Sequence, residues 1–186
     1  MVDNYGNYFC QKLLSTCSCD QRLFILTIIQ EHFIKICCNK KGTHTIQSMF
    51  DLITLNQEEE LIFKALKGHI VYLARDAQGA HVVQKVLNTF PEETKRQFIF
   101  DEVYQCLIDL AKDSNGLCVI KRLIQLYSPA CQPQEPVALR KKNALAILVK
   151  IQESVIDLVQ DPFGNYAVSE IIKVSFSDPQ FIDLGH

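Results

Sequence analysis

A short segment recurs five times along the chain, and each copy opens on an aspartate or asparagine with a glycine three residues later. The copies are DNYGNYFCQKLL, NKKGTHTIQSMF, DAQGAHVVQKVL, DSNGLCVIKRLI and DPFGNYAVSEII. The residues that follow the five glycines are separated by 36, 37, 37 and 48 positions. A repeat of this length is one supersecondary unit that cannot bury its apolar face alone and must stack on its neighbours. The chain is therefore predicted to be an array of repeats.

Helical periodicity dominates between these copies, and the pattern of alternating strands is absent from the sequence. Each repeat is predicted to hold a helix, a short helix, the glycine turn and a signature helix. The predicted boundaries give six segments, of which the first and last are partial: 1–20, 21–56, 57–93, 94–128, 129–177 and 178–186. Because neither end shows an atypical capping repeat, we interpret the chain as a partial stretch of a longer array.

The 48-residue interval is explained by an insertion. Residues 128–143 contain three prolines, which predict an inserted loop, with a helix resuming near Val137. Surface loops are where repeat proteins accept such insertions. The insertion is therefore expected to leave the stacking of the repeats intact.

Composition leaves the type of partner open. The net charge is −2, and a basic stripe could still be balanced by acidic outer surfaces. Several of the eight cysteines lie within apolar helical patterns, where we expect small buried hydrophobes in a reducing compartment and hence a cytoplasmic location. Since the sequence has no signal peptide or membrane-length apolar run, no membrane partner is expected.

Each signature helix carries two faces. In the third copy Val82, Val83, Val86 and Leu87 form an apolar face, and Ala80, His81 and Gln84 share another. The first copy is expected to turn Phe9, Cys10, Leu13 and Leu14 inward, and the second Thr45, Ile46, Met49 and Phe50. Counting from the residue after the glycine, we call the outward residues at the first, second and fifth places the reading trio.

The reading trio suits a nucleobase. A ring at the second place can stack on a base, which contributes about 1–3 kcal/mol per base. The first and fifth places lie one helical turn apart and can offer amide donors and acceptors to one base edge. Stacked repeats would align the trios at a near-constant pitch, which predicts single-stranded RNA as partner, with one base per repeat.

The candidate residues follow from this geometry. Candidates for base-edge contact are Asn7, Gln11, Thr43, Gln47, Ala80, Gln84, Asn165 and Ser169. Candidates for stacking are Tyr8, His44, His81 and Tyr166. The fourth trio, Leu117, Cys118 and Lys121, departs at every place and is predicted to space the RNA or to contact phosphate through Lys121. The basic residues after the trios are equally consistent with contacts along the RNA backbone and with plain solvent exposure; they are Lys12, Lys85 and Arg122.

The segments DNYGNYFCQKLL, GTHTIQ, GAHVVQKVL and DPFGNYAV resemble the RNA-facing helices of the Pumilio, or PUF, family over essentially the whole chain. The order of the segments is most similar to the second to sixth repeats of the family's array. The resemblance implies an all-α, right-handed, crescent-shaped α-solenoid of three-helix repeats. Its concave face would bind messenger 3′ untranslated regions in translational repression or mRNA decay, and its convex face would dock effector proteins.

The resemblance also implies base preferences. Asn7 and Gln11 around Tyr8 match the family's pattern for uracil, whereas Thr43 with Gln47 matches only partly and would favour adenine or tolerate several bases. Ala80 leaves Gln84 alone to discriminate between bases. Asn165 and Tyr166 fit uracil, but Ser169 replaces the glutamine. The RNA would run antiparallel to the repeats.

Alternatives remain for each feature. His44 and His81 could be ordinary surface histidines, and Tyr8 and Tyr166 could be half-buried packing residues between repeats. A zinc site lacks the usual cysteine and histidine spacings, so no metal is expected, and no cofactor either. A protein-interaction solenoid of the HEAT or armadillo kind and a nonspecific nucleic-acid binder are the competing functions. The sequence lacks a persuasive catalytic constellation, so we predict that the protein is not an enzyme.

Overall fold

The computed structural model describes residues 1–3, 5–90, 92–127 and 137–177, and these residues form helices and turns without a strand. The helices are α1 (Gly6–Thr16), α2 (Cys19–Ile29), α3 (Phe33–Cys37), α4 (Gly42–Phe50), α5 (Asn56–Leu66), α6 (Ile70–Arg75), α7 (Gly79–Thr89), α8 (Glu93–Gln105), α9 (Leu107–Ala111), α10 (Gly116–Tyr127), α11 (Val137–Glu153), α12 (Val155–Gln160) and α13 (Gly164–Ser177). A 3₁₀ turn at Gln30–His32 joins α2 to α3. The predicted all-α repeat fold is confirmed.

The helices fall into three sets that recur in the same order. The signature helices are α1, α4, α7, α10 and α13, and each is reached through a short helix in every described repeat after the first. The longer helices α2, α5, α8 and α11 precede those short helices. This order matches the predicted sequence of helix, short helix, glycine turn and signature helix.

The chain divides into two compact units, Met1–Thr89 and Phe90–His186. In the first unit, α1 packs on α4, α4 packs on α7, and α2 packs on α5. In the second unit, α10 packs on α13 and α8 packs on α11. Neighbouring repeats within a unit thus stack helix on equivalent helix, as expected for an array.

The core of each unit lies between these stacked helices. In the first unit Leu26, Ile46 and Ile62 are fully buried, and in the second Val119 and Ile120 are. The apolar residues of the signature helices recur at i, i+3 and i+4, so one face of each contributes a large part of this core, and the remaining helices contribute the rest. The apolar periodicity of the sequence therefore accounts for the stacking.

The structure describes only the last part of the predicted insertion. Helix α11 begins at Val137, close to the predicted position, so residues 137–143 of the predicted loop 128–143 are helical. The remainder of that loop, residues 128–136, and the predicted partial repeat 178–186 lie outside the described residues. The repeat boundaries themselves remain a prediction.

Candidate nucleic-acid interface

Every signature helix is preceded by a turn in which one side-chain oxygen accepts two backbone N–H groups. Asp76 Oδ1 accepts from Gln78 N at 2.9 Å and from Gly79 N at 2.8 Å. The same pair of hydrogen bonds is made by Asp3, Asn39, Asp113 and Asp161. This is an Asx turn, in which a short polar side chain replaces a backbone acceptor. It fixes where each signature helix begins.

These hydrogen bonds also act on the charge of the turn. The backbone N–H groups, first that of Gly6 and then that of Tyr5, lower the pKa of Asp3 below its ordinary value. The N–H groups of Gly164 and Phe163 likewise lower the pKa of Asp161. Both carboxylates are therefore held in the charged form that accepts hydrogen bonds best.

The glycine of the turn permits a close approach between two helices. A Cβ atom on Gly79 would lie 2.6 Å from the carbonyl oxygen of Leu73 in α6. Equivalent atoms on Gly42, Gly116 and Gly164 would lie 2.7, 2.6 and 2.9 Å from the carbonyl oxygens of Ile36, Leu110 and Leu158. Because no side chain fits in that gap, glycine is required for the short helix to pack against the start of the signature helix.

The second place of the trio faces solvent in all five signature helices. Tyr8 is 71% exposed and Tyr166 is 54% exposed. The side chains of His44, His81 and Cys118 are exposed as well. The alternative that Tyr8 and Tyr166 are half-buried packing residues is therefore wrong, and both rings are free to stack on a base.

The first place lies deeper than the sequence predicts. We expected it to face outward, but Asn7, Thr43, Ala80 and Leu117 are all buried, with Asn7 only 2% exposed. At the first of these positions, the next signature helix contributes a contact, since Thr45 Oγ1 in α4 donates to the carbonyl oxygen of Asn7 at 3.3 Å. Asn165 is half-buried, and no later helix is described to cover it.

The fifth place is half-buried and tethered to the first. Gln11 Nε2 donates to Asn7 Oδ1 at 3.1 Å, and Gln47 Nε2 donates to Thr43 Oγ1 at 3.0 Å. Where the first place is alanine, Gln84 Nε2 donates to the carbonyl oxygen of Ala80 instead, at 3.3 Å. Ser169 Oγ makes the same bond to the carbonyl oxygen of Asn165 at 2.9 Å. The two places therefore lie side by side, as their spacing predicts.

The predicted inward face of the first signature helix is only partly correct. Leu14 is buried, whereas Phe9 and Leu13 are 67% and 42% exposed and Cys10 is half-buried. Helix α4 packs on α1, and these two exposed side chains lie outside that contact in the described residues. In the second copy Thr45, Ile46, Met49 and Phe50 are all buried, as predicted.

The first two trios of the first unit line a groove of about 380 Å³. The groove is formed by Asn7, Tyr8, Gln11, His44, Gln47, Ser48, Asp51 and Lys85. It brings together most of the first two trios, and it adds Ser48 and Asp51, which the sequence reasoning missed. Ser48 directly follows the fifth place of its helix, as Lys12 and Lys85 do in theirs, and that position is the signal that could have found it.

A profile of the Pumilio-family RNA-binding repeat matches residues 1–29, 32–65, 69–104 and 106–132. These four windows contain the first four signature helices and cover more than half of the chain. The chain belongs to the Pumilio family of RNA-binding repeat proteins. The fifth Pumilio signature helix, α13, lies beyond these windows but begins with the same Asx turn and glycine.

Curated Pumilio proteins resemble part of the chain. It is 39% identical over 66 residues to a Pumilio domain-containing protein of Schizosaccharomyces pombe, and 39% identical over 70 residues to Pumilio homolog 12 of Arabidopsis thaliana. Each alignment covers 36% of this chain, but only 8% and 12% of the two relatives. The chain thus spans a small part of the length of these relatives.

Solved Pumilio structures resemble nearly all of the chain. The Puf4 RNA-binding domain bound to an HO endonuclease RNA 3′ UTR recognition sequence matches with a TM-score of 0.82 at 31% identity, over 94% of this chain and 50% of that one. The RNA-binding domain of yeast Puf5p bound to SMX2 RNA matches with a TM-score of 0.78 at 26% identity, over 98% and 49%. The chain spans about half of each domain.

The basic residues of these Pumilio repeats differ in how available their charges are for contact with a phosphate. Lys12 is exposed and Arg122 is half-buried. Lys85 pairs with Asp51, and Lys121 Nζ lies 3.7 Å from Glu170 Oε2. A phosphate at the fourth trio would therefore compete with a carboxylate that already accompanies Lys121. Sequence reasoning missed this partner.

The cysteines are only partly as expected. Among the seven described cysteines, all free, Cys37 is buried, Cys118 is exposed and the others are half-buried; Cys131 lies outside the described residues. Burial raises the pKa of the Cys37 thiol, and burial together with the charge of Asp76 raises the pKa of Cys38 to about 11. Both are therefore protonated at neutral pH and are poor metal ligands in that form.

The described ranges contain no cluster of three or more histidine, cysteine, aspartate or glutamate side chains suited to a metal ion. Within the same ranges, every helix is too short or too polar to span a bilayer.

Proposed function

We propose that this chain binds single-stranded RNA sequence-selectively, with one base at each intact reading trio. The observation that carries the proposal is the geometry of the second place beside the fifth: an exposed ring next to a half-buried side chain that is tied to the first place. A ring supplies stacking to any base, while the tethered amide supplies discrimination between base edges.

The trio of α1 is the strongest of these sites. Tyr8 offers its exposed ring, and the amides of Asn7 and Gln11 are bonded to each other at 3.1 Å. Asn7 Nδ2 also donates to the carbonyl oxygen of Asp3 at 3.1 Å, so the turn itself orients this amide. An oriented pair of amides offers both a donor and an acceptor, which suits the alternating acceptors and donor of uracil.

The other trios would discriminate less. Thr43 with Gln47 and Ala80 with Gln84 keep one amide each, and Ser169 has a shorter reach than glutamine. The fourth trio has no ring, and its buried Leu117 offers no hydrogen bond. The preferred RNA would have a uracil at each end of the bound stretch and a permissive, adenine-leaning middle. We further propose that the ligand is a messenger 3′ untranslated region, in cytoplasmic repression or mRNA decay, with effector proteins bound elsewhere on the surface.

A selection from randomised RNA tests the proposal. The expected result is an enriched motif with uracil at the base that contacts the α1 trio. The matched arm uses Asn7→Ser with Gln11→Glu: a glutamate only accepts hydrogen bonds, so preference at that base should move toward guanine, whose N1–H and N2–H both donate. RNA binding without an enriched motif would favour the nonspecific nucleic-acid binder. Absence of RNA binding would favour a protein-interaction solenoid.

A further inference from the structure

The residue directly after the fifth place reaches back to the preceding signature helix. We call this residue the sixth place; it is Lys12, Ser48, Lys85, Arg122 and Glu170 in the five copies. Within the two units, the neighbouring signature helices are α1 with α4, α4 with α7, and α10 with α13. In each of these pairs, the sixth place of the later helix contacts a polar side chain of the earlier one.

In the first pair the sixth place orients a base-edge candidate. Ser48 Oγ donates to Gln11 Oε1 at 3.2 Å, while Gln11 Nε2 donates to Asn7 Oδ1 at 3.1 Å. The Gln11 amide is thus held at both ends, with its oxygen toward α4 and its nitrogen toward Asn7. Asn7 Oδ1 can only accept and so turns the Gln11 nitrogen toward it, while the Ser48 hydroxyl holds the Gln11 oxygen and restricts where the amide edge lies.

In the last pair the sixth place supplies a charge. Glu170 is only 8% exposed, and its Oε1 accepts from Gln125 Nε2 at 2.8 Å. Its Oε2 lies 3.7 Å from Lys121 Nζ, at the fifth place, and 3.9 Å from Lys173 Nζ. The cation of the fourth trio therefore has a largely buried counter-charge built into the following repeat.

The middle pair is a natural comparison. Lys85 pairs with Asp51, which lies four residues after the fifth-place Gln47. The sixth place again contacts the preceding helix, but one turn further along it. Among the described residues, the Gln47 side chain is held by its own Thr43 and not by the sixth place of the next helix.

We propose that the sixth place of one repeat tunes the trio of the preceding repeat: Ser48 is a positioning residue that orients Gln11, and Glu170 neutralises Lys121. This proposal rests on the proposed RNA-binding function. It makes base preference at one repeat depend on a side chain from the next, so a trio considered alone is an incomplete description of its site.

The first test compares Ser48→Ala with Ser15→Ala, a matched change at an exposed serine on α1. RNAs that differ only at the base facing Gln11 are titrated against each variant. Loss of one orienting hydrogen bond should reduce the preference for uracil by about threefold to tenfold for Ser48→Ala and leave it unchanged for Ser15→Ala. In the Gln11→Ala background, Ser48→Ala should cause no further loss. An equal loss in that background would overturn the positioning role.

The second test measures how RNA affinity depends on salt. Glu170→Gln should free the Lys121 charge for a phosphate and steepen the dependence of log affinity on log salt by about 0.7, the value for one contact to a single strand. The steepening should persist in a Lys173→Gln background and vanish in a Lys121→Gln background. Steepening that survives Lys121→Gln would show general repulsion by Glu170 and overturn this half of the proposal.

A measurement without RNA separates the two levels of inference. The side-chain amide resonances of Gln11 in an NMR spectrum of the free protein should shift with Ser48→Ala and stay in place with Ser15→Ala. If the wild-type chain binds no RNA, the proposed function fails, whereas an unmoved Gln11 amide refutes the positioning by Ser48 whether RNA binds or not.

Discussion

The signature helices of the two units share their construction but differ in their trios. In the first unit, α1 and α4 pair a polar first place with a glutamine, through Asn7 with Gln11 and Thr43 with Gln47. In the second unit, α10 has a buried leucine at the first place and a lysine paired with Glu170 at the fifth. Yet α10 begins with the same Asx turn and the same close glycine as the others.

This difference shows that the residues that start and pack a signature helix are kept where the trio changes. The turn aspartate, the glycine and the apolar face are kept in α10, and they account for its packing. Helix α10 has apolar, thiol and ammonium groups at the first, second and fifth places, where α1 has Asn7, Tyr8 and Gln11, and both helices begin with the same Asx turn. Under the proposed function, a repeat whose trio does not bind a base can therefore still support its neighbours.

The longer helices of the two units differ in a parallel way. In the first unit Arg22 Nε donates to Glu58 Oε1 at 2.9 Å across α2 and α5, with side chains 8% and 0% exposed. Glu58 Oε2 also accepts the N–H groups of Thr54 and Leu55, both at 3.1 Å. In the second unit a neutral amide pair occupies the contact between α8 and α11, where Asn143 Nδ2 donates to Gln97 Oε1 at 2.9 Å.

The largest expected effect comes from breaking the charged contact between Arg22 and Glu58. Glu58→Ala should lower the free energy of unfolding of the first unit by about 3–5 kcal/mol, because Arg22 remains buried without its counter-charge. Urea unfolding followed by circular dichroism measures the loss. Glu58→Gln keeps one acceptor oxygen and should cost less, and Asn143→Ala should cost about 1 kcal/mol. A loss in Glu58→Ala no greater than that in Asn143→Ala would refute the distinction.

The next effect sharpens the contrast between trios. Tyr8→Ala should weaken RNA binding by about 1–3 kcal/mol, because a stacking ring is lost. Cys118→Ala, at the same place of the fourth trio, should leave affinity unchanged. Both side chains are exposed, so thermal unfolding should be unaffected in either variant. Equal effects on affinity would mean that the second place does not distinguish the trios.

A smaller effect tests whether the shared turn is equally important in the degenerate repeat. Asp113→Ala removes the acceptor for Asn115 N and Gly116 N and should cost about 1 kcal/mol of stability. Asp113→Asn should be close to neutral, because Asn39 already fills this position in the second repeat and accepts the same two bonds. Denaturant titration of the wild type, Asp113→Ala and Asp113→Asn measures these differences in stability. An unchanged free energy of unfolding in Asp113→Ala would contradict the prediction.

The smallest effect concerns acid. Since the pKa of Asp161 is lowered in the folded chain, its stabilising contribution is complete above the ordinary value of 3.8 and is lost as pH falls through the lowered value. Asp161→Asn should therefore make the free energy of unfolding slightly less dependent on pH below about 4. Asn39 forms the same turn in the second repeat with a side chain that does not titrate. Thermal unfolding across this acid range measures the effect. A profile as steep as that of the wild type would refute it.

Much of this architecture can be predicted from sequence because it is local. The Asx residue and glycine predict where each signature helix starts, and helical periodicity predicts that the second place of each is exposed. Periodicity identifies an apolar face but not whether a neighbour covers it, so the exposure of Phe9 and Leu13 was missed. The burial of Asn7 and the bond from Ser48 to Gln11, across 37 positions, depend on how two helices pack and have no local signal.

The glycine turn also bears on how such proteins change over generations. The helix start is fixed by atoms that belong to the turn, and substitutions at the trio leave those atoms in place. Mutations at the exposed second place are consequently nearly neutral for folding, and selection can act on them through the bound ligand alone. Under the proposed function, a single codon change at a second place can therefore alter how one repeat contacts its base while the folded array is retained.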